Sequence, residues 1–426
     1  MTLDPNLTVH AWSMATAAAV SASCGLVGGF LVVRRMSLLG DAISHAVLPG
    51  IAVAVLAGGS LGGPFVFAGA VAAALATVWL TQALHAGVGL AEDAGAGVVF
   101  TSLFALGVVI VTLAASRVDL DPECVLYGIL ELSAFDRVPV AGVLVPRALV
   151  TAVVVLALVS GLLASTWRWQ MFTAFDPAAA RAVGVPVTAV TTSLLAATAV
   201  AAVAGFEAVG AVLVVAMLVV PAATAELLVQ RMHHVLFVAV GVAVLAACAG
   251  WIAAWYWNAS AAGMIAVVLG CCYAVAVVVA PGDGILARGL SRLQFSWRVA
   301  CEDRLAQIWR SCEAEDSPAV PLPDAGGLLE RLAGMWLERS GRVNRRDGLV
   351  TLSEVGRREA EMVVRSHRLW ETWLGRHADL PADHLHPPAE WLEHHLGAAM
   401  RERIEAELPH GESDPHGRTI PPESNS

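Results

Sequence analysis

Lysine is absent from the 426-residue chain, so all 26 of its Lys-or-Arg positions are arginine. Without lysine there is no G-x-x-x-x-G-K-[ST] phosphate loop, and any nucleotide hydrolysis falls to a partner. Charge is scarce as well: charged residues make up 15% of the chain against 57% hydrophobic ones, and the mean hydropathy is +0.68. That balance excludes an ordinary soluble protein and reads as a membrane protein. The net charge of −10 argues against a general nucleic-acid-binding surface, a local basic patch aside. Seven cysteines (Cys24, Cys124, Cys248, Cys271, Cys272, Cys301, Cys312) show no C-x-x-C spacing, so they read as small buried hydrophobes and imply no disulfide framework. No basic residue precedes Arg34. The first apolar run therefore lacks the charged start of a cleavable signal peptide and is expected to stay in the mature protein.

What the chain has in abundance is Ala, Val, Leu and Gly, in runs that fill it to about Ala280, while charge crowds everything after Arg288. A helix crosses a bilayer with roughly 20 apolar residues, and about nine stretches qualify. They are Met14 to Val33, Asp41 to Ala57, Pro64 to His85, Gly95 to Ala115, Ala148 to Ser165, Thr188 to Ala204, Ala208 to Val229, Val235 to Trp257 and Ala261 to Ala280. The second, sixth and seventh are short or closely joined, so about eight to ten spans fit. Arg34, Arg35, Arg168, Arg181, Arg231, Arg288, Arg292 and Arg298 flank the runs. Nine spans put all of them on the cytoplasmic side, with the N-terminus outside and the charged tail in the cytoplasm. The expected fold is thus an all-α polytopic membrane protein with a small, mainly α cytoplasmic C-terminal domain. The expected division is 1–285 transmembrane, 286–327 linker and partial winged-helix start, 328–421 regulatory domain and 422–426 disordered tail. Between spans four and five, RVDLDPECVLYG reads either as a solvated connector or as a landing surface for a cation-carrying partner.

Inside this lipid-coloured chain stands GDAISHAVLPG, with Asp41 and His45 at i and i+4 on one helix face. A charge buried in hydrocarbon costs at least ~2.5 kcal/mol, so an intramembrane Asp is a functional hypothesis by default. Carboxylate oxygen plus imidazole nitrogen suits manganese, iron or zinc. The alternative is that Asp41 caps a helix near the interface and His45 hydrogen-bonds a neighbouring helix. The wider run RRMSLLGDAISHAVLPGIA, followed by EDAGAGVVFTSLFALGVV, VDLDPECVLYG, AFDPAAARAVGV and AVGAVLVVAMLVVPAATAELL, resembles the permease subunits of bacterial zinc, manganese and iron ABC importers over roughly residues 10 to 285. The resemblance implies that Asp41 and His45 lie on the translocation path and contact the metal. It also implies that Phe175, Asp176, Ala180 and Gly184 belong to a short cytoplasmic helix that docks into the ATPase subunit.

The tail carries a Pro-rich stretch (SPAVPLPDAGG), a helix, a short strand pair around Arg346-Asp347-Gly348, and a helix opened by Ser353 with Glu354 behind it. His367 and Glu371 stand at i and i+4; His386, Glu390, Glu393 and His394 recur at offsets that keep ligands on one face. Such a set reads as a manganese or iron site or as a solvated helix face. LVTLSEVGRREAEMVVRSHRLWETWL, LPADHLHPPAEWLEHHL and DPHGRTIP resemble the iron- and manganese-dependent repressors related to the diphtheria toxin repressor. The resemblance places all six of those residues on metal-binding positions, and glutamate rather than cysteine at Glu390 points to manganese. The winged helix is degenerate: SCEAEDSPAVPLPDAGG replaces most of its first helix and leaves Leu328 to Arg339 as the candidate recognition helix, which argues against DNA binding, although Arg342, Arg345 and Arg346 fit a basic wing.

Together these readings imply the permease subunit of an ATP-driven divalent-metal importer in a bacterial cytoplasmic membrane. Manganese is favoured over iron or zinc, and no nucleotide binds this chain. The implied partners are an ABC ATPase, an extracytoplasmic metal-binding protein and a second permease copy, and the tail is a metal-sensing regulator. The alternatives are a membrane-tethered metal-dependent transcription regulator and a self-powered secondary transporter. The latter would need more intramembrane ionisable groups than Asp41, His45 and Glu207.

Overall fold

The computed structural model describes residues 5–36, 38–58, 64–114, 130–140, 142–282, 284–377, 394, 398–408 and 413–422. The acidic loop RVDLDPECVLYG and four of the five tail residues lie outside them, as do His386, Glu390 and Glu393. The chain divides into two compact units, Met1–Ala287 and Arg288–Ser426.

The first unit runs α1 (Pro5–Val33), α2 (Leu38–Ala46), α3 (Leu48–Leu56), α4 (Pro64–Val88), α5 (Glu92–Ala114), the strands β1 (Arg137–Val140) and β2 (Val143–Pro146), then α6 (Arg147–Phe175), α7 (Pro177–Ala182), α8 (Val187–Val209), α9 (Ala211–Leu228), α10 (Met232–Trp257) and α11 (Ala261–Val279). Among the described residues, eight helices are long and apolar enough to cross a membrane: α1, α4, α5, α6, α8, α9, α10 and α11. The stretch Asp41 to Ala57 is not one continuous helix. It is α2 and α3, nine residues each, broken at Val47 ahead of Pro49. Proline brings no N–H and its ring crowds the preceding turn, so the helical ladder cannot run through. Each nine-residue half rises only about 13 Å, so only the two together, Leu38–Leu56, approach the ~30 Å hydrocarbon core. Gly210, at φ +86°, separates α8 from α9 in a single residue, which explains why these two spans read as closely joined.

Lipid and helix interior are equally apolar, so packing between spans depends on close backbone approach at small residues. A Cβ on Gly50 would lie 2.2 Å from the Gly69 carbonyl oxygen, and one on Gly69 would lie 2.6 Å from the Gly50 oxygen; α3 and α4 cross there. Helix α1 is the most enclosed span, 72% buried over its most apolar window, whereas α5 and α11 are 17% buried. The core gathers Phe30, Ile43, Leu194, Leu195, Met217 and Leu218 around α1, with α5 and α11 at the rim. The β1–β2 hairpin is antiparallel, with Arg137 opposite Pro146 and Val140 opposite Val143. Beside it in sequence, the Glu131 carboxylate accepts the Ala261 N–H at 2.9 Å and so satisfies the start of α11.

The second unit contains α12 (Ile285–Glu315), β3 (Val320–Pro321), α13 (Leu328–Arg339), β4 (Val343–Arg346), β5 (Leu349–Leu352), α14 (Glu354–His377) and α15 (Ala398–Glu407), its strands in the order β3-β5-β4. The wing turns through Asp347 and Gly348, both at positive φ (52° and 81°), as a two-residue hairpin requires. Ser353 caps α14, its Oγ accepting the Gly356 N–H at 3.2 Å. The segment expected as linker and partial winged-helix start is helical to Glu315, because Ala300, Cys301, Arg304, Leu305 and Ile308 recur at helical spacing and are buried. Pro- and Gly-rich chain is confined to the stretch around β3. Among the described residues α13 is the one helix between β3 and the wing.

Candidate functional site

Helix α2 buries Ala42, Ile43 and Ala46 at 3%, 0% and 0% exposure and turns Asp41 and His45 away from that face. Asp41 lies inside the helix, past its first turn's opening residues, so its carboxylate is not the N-cap. His45 Nε2 and Asp41 Oδ1 stand 3.6 Å apart with side chains 38% and 48% exposed. The pair thus presents an oxygen and a nitrogen donor side by side, both partly open to solvent. The His45 ring is steadied by two aromatics of α5, tilted on Phe100 at 5.9 Å and edge-on to Phe104 at 5.8 Å between centroids. Behind α2, a Cβ on Gly40 would come within 2.9 Å of Leu218 Cδ1, which holds the start of the helix tight against α9.

Phe175, Asp176, Ala180 and Gly184 are brought together around α7. The Asp176 carboxylate accepts the Ala179 N–H at 2.9 Å, Ala180 is fully buried, and Val185 N–H donates back to the Ala180 carbonyl at 3.0 Å beside Gly184. Phe175 and Val183 are left 66% and 74% exposed. A capped, anchored turn with apolar side chains facing outward is a shape suited to contact with another protein.

The two ends of that turn are tied to α1. Arg34, one residue past α1, donates to Gln170 Oε1 at 2.8 Å, to Thr173 Oγ1 at 2.6 Å and to the Gln170 carbonyl at 3.3 Å on α6, and to Thr191 Oγ1 at 3.1 Å on α8. Gln170, fully buried, donates in turn to the Val190 carbonyl and to Ser193 Oγ of α8.

In the second unit, His367 and Glu371 pair on α14 at 3.1 Å, 4% and 2% exposed. His416 Nε2 reaches to 4.0 Å from the same Glu371 oxygen. Between them in sequence, buried Arg368 is bonded to Glu313, to the Thr419 carbonyl at 2.6 Å and, at 3.7 Å, to Asp414. The Arg368 hydrogen bond outweighs burial and holds the Glu313 carboxyl below the usual carboxylate range. His394 meets two acids of α12, Nδ1 to Glu302 at 2.7 Å and Nε2 to Asp303 at 3.0 Å. It borders a cavity of about 460 Å³ that Trp297, Trp336 and Met362 also line. Burial pushes the nearby Cys301 thiol up. Among the described residues no group of three or more His, Cys, Asp or Glu side chains is arranged to hold a metal ion. Sequence reasoning passed over Glu302, Asp303 and His416. The first two carry no local signal beyond two adjacent acids. His416 lay in the DPHGRTIP motif but drew no role.

Comparison with known proteins matches residues 6–280 to the ABC 3 transport family and residues 353–422 to the iron-dependent repressor metal binding and dimerisation domain. The manganese transport system membrane protein MntD of Bacillus subtilis is 41% identical over 288 residues, covering 67% of this chain and 97% of that protein. The zinc transport system membrane protein TroD of Treponema pallidum is 36% identical, covering 64% and 75%. The solved structure of PsaBC from Streptococcus pneumoniae in complex with Fab matches with a TM-score of 0.54 at 28% identity, covering 64% of this chain and 92% of that one. Family membership implies an ATPase and a solute-binding protein as partners, with ATP hydrolysis on the separate subunit. The chain belongs to the ABC 3 transport family, as a polytopic permease of the cytoplasmic membrane whose cytoplasmic C-terminal unit resembles, over residues 353–422, the metal binding and dimerisation domain of the iron-dependent repressors.

Proposed function

We propose that this permease imports manganese, with iron and zinc as competing ions, and that the ion passes between Asp41 and His45. The observation that carries the reading is the i, i+4 oxygen–nitrogen pair, 3.6 Å apart on a broken helix among eight spans. A dehydrating ion needs hard oxygen and borderline nitrogen donors where hydrocarbon offers none. The kink at Val47 and Pro49 makes irregular backbone tolerable there because it lines protein rather than lipid. The relatives named for manganese transport support that ion as cargo. Phe175, Asp176, Ala180 and Gly184 form the ATPase-docking turn of a permease homodimer.

The cytoplasmic unit senses the imported ion. Its donors fit manganese or iron: His394 with Glu302 and Asp303, and His367 with Glu371, are nitrogen–carboxylate sets without thiolate. His386, Glu390 and Glu393 would complete them. A bound ion there would supply neutralising charge to the carboxylates. Feedback on transport follows if the domain binds metal with different affinity in the transporter's two states. Among the described residues α13 alone lies between β3 and the wing, which speaks against a two-helix DNA-reading element.

The test is uptake by the full permease–ATPase complex in liposomes, with manganese, iron and zinc in competition. Asp41→Ala and His45→Ala should each cut manganese uptake more than about tenfold. Full-speed uptake by the double variant would refute the path.

A further inference from the structure

We propose that Arg34 is a positioning residue that passes movement of the α7 turn to the Asp41–His45 pair. The inference rests on the proposed function, which assigns ATPase docking to the turn and cargo to the pair.

Three features carry it. First, Arg34 grips both flanks of α7. Thr173 and Gln170 lie in the last turns of α6, which ends at Phe175, and Thr191 lies in the first turns of α8, which begins at Val187. A push on the exposed Phe175 and Val183 must therefore displace groups to which one guanidinium is bonded. Second, those groups are bonded to one another. Gln170 donates to Val190 and Ser193 at 3.2 and 3.3 Å while accepting from Arg34. The ends of α6 and α8 thus move with Arg34 as one hydrogen-bonded body, and a planar five-donor fork suits that task better than a flexible ammonium. Third, the link from Arg34 to the pair is short, and Arg35 and Met36 at its start are held in place. Met36 is buried, its N–H bonded to the Leu31 carbonyl at 2.9 Å, and Arg35 turns at φ +59° with its N–H on Val32 at 2.9 Å. Helix α2 starts at Leu38 and carries Asp41 seven positions on from Arg34. A stretch of that length can reach at most about 25 Å, and it is pinned at its start.

A cationic side chain at the cytoplasmic end of a span is ordinarily a topology marker facing water and lipid headgroups. Arg34 instead spends its hydrogen bonds on two helices distant in sequence, 136 and 157 residues away. Breaking such a network should loosen the timing between ATP hydrolysis and opening at the pair without touching either chemistry.

The experiment uses the full permease with its ATPase subunit in liposomes, and reads manganese uptake and ATP hydrolysis in the same vesicles. For Arg34→Met, uptake should fall about tenfold while hydrolysis stays within about twofold of wild type, so that ATP consumed per ion rises about tenfold. Arg34→Lys should recover part of the ratio, and Thr191→Val should shift it in the same direction by less. A proportional fall in both activities, or no change in the ratio for Arg34→Met, overturns the proposal. Failure of the underlying reading looks different: Asp41→Ala with His45→Ala would then keep full uptake, whatever Arg34→Met does.

Discussion

At the scale of single residues, the membrane unit is governed by where a Cβ fits. Gly28 on α1 is the sharpest case: a methyl there would lie 1.9 Å from the Leu218 carbonyl oxygen of α9, and backbone cannot rotate aside as a side chain can. Gly28→Ala should destabilise the permease by about 1–3 kcal/mol, the usual range for overpacking. Gly241→Ala, in α10 with nothing within 4 Å of the new methyl, should change stability by less than about 1 kcal/mol. Thermal unfolding in detergent separates the two, and equal midpoints would mean that α1 and α9 do not meet so closely. The Asp41–His45 spacing was legible because i, i+4 is a local property of a helix. The crossing at Gly28 was not, since one glycine among 38 carries no mark of its distant neighbour.

At the scale of elements, the C-terminal stretch after α15 is held onto α14 by arginines. Arg365 reaches Glu405 and the Pro421 carbonyl, and Arg368 reaches Glu313, Asp414 and Thr419. Arg368 is 2% exposed and Asp414 6%, so Arg368→Met leaves a buried carboxylate without its cation. The expected cost is about 3 kcal/mol, read as faster hydrogen exchange over 413–422 in the full-length protein. The Glu313 arm is pH-dependent. Its carboxyl is held low in the folded state by the Arg368 hydrogen bond, so its stabilisation is complete above the unfolded value of about 4.3 and is lost as pH falls through the lower folded value. Protection over 413–422, taken relative to the intrinsic exchange rate at each pH, should therefore fall on acidification below pH about 4, and Glu313→Gln should remove that step. At the same scale, the segment 286–327, expected as linker and partial winged-helix start, is helical as far as Glu315. FSWRVACEDRLAQIWRSCE carries a clear buried stripe, and the helix ends just before the Pro-rich stretch behind it.

At the scale of the whole molecule, the chain joins a permease to a sensor that faces the compartment being filled. If the sensor supplies feedback, His394→Ala and Asp303→Asn should leave initial manganese uptake unchanged at low internal metal. They should also abolish the slowing seen in wild type when the liposome interior, or the cytoplasm, is loaded with manganese. Uptake that still shuts off in both variants would separate the two units functionally. Arginine without lysine also has a meaning at this scale. Buried or half-buried arginines (Arg34, Arg304, Arg365, Arg368) hold hydrogen-bond networks in both units, a use of fixed charge and planar geometry that lysine serves less well.

The sequence by itself determined where the membrane spans lie, which side the charged tail occupies, and the helix–wing–helix order of the sensor. Each of these follows from rules that act within a few residues: lipid forces every span to satisfy its own backbone, and turns and caps announce themselves locally. Tertiary structure alone decided that the second apolar stretch is two short helices packed against α5, that Arg34 bonds α6 and α8, and that His394 meets acids 91 and 92 residues before it. Those pairings join segments far apart in the chain. Their energy comes from packing and desolvation in a shared interior, and no local pattern encodes which distant partner will be there.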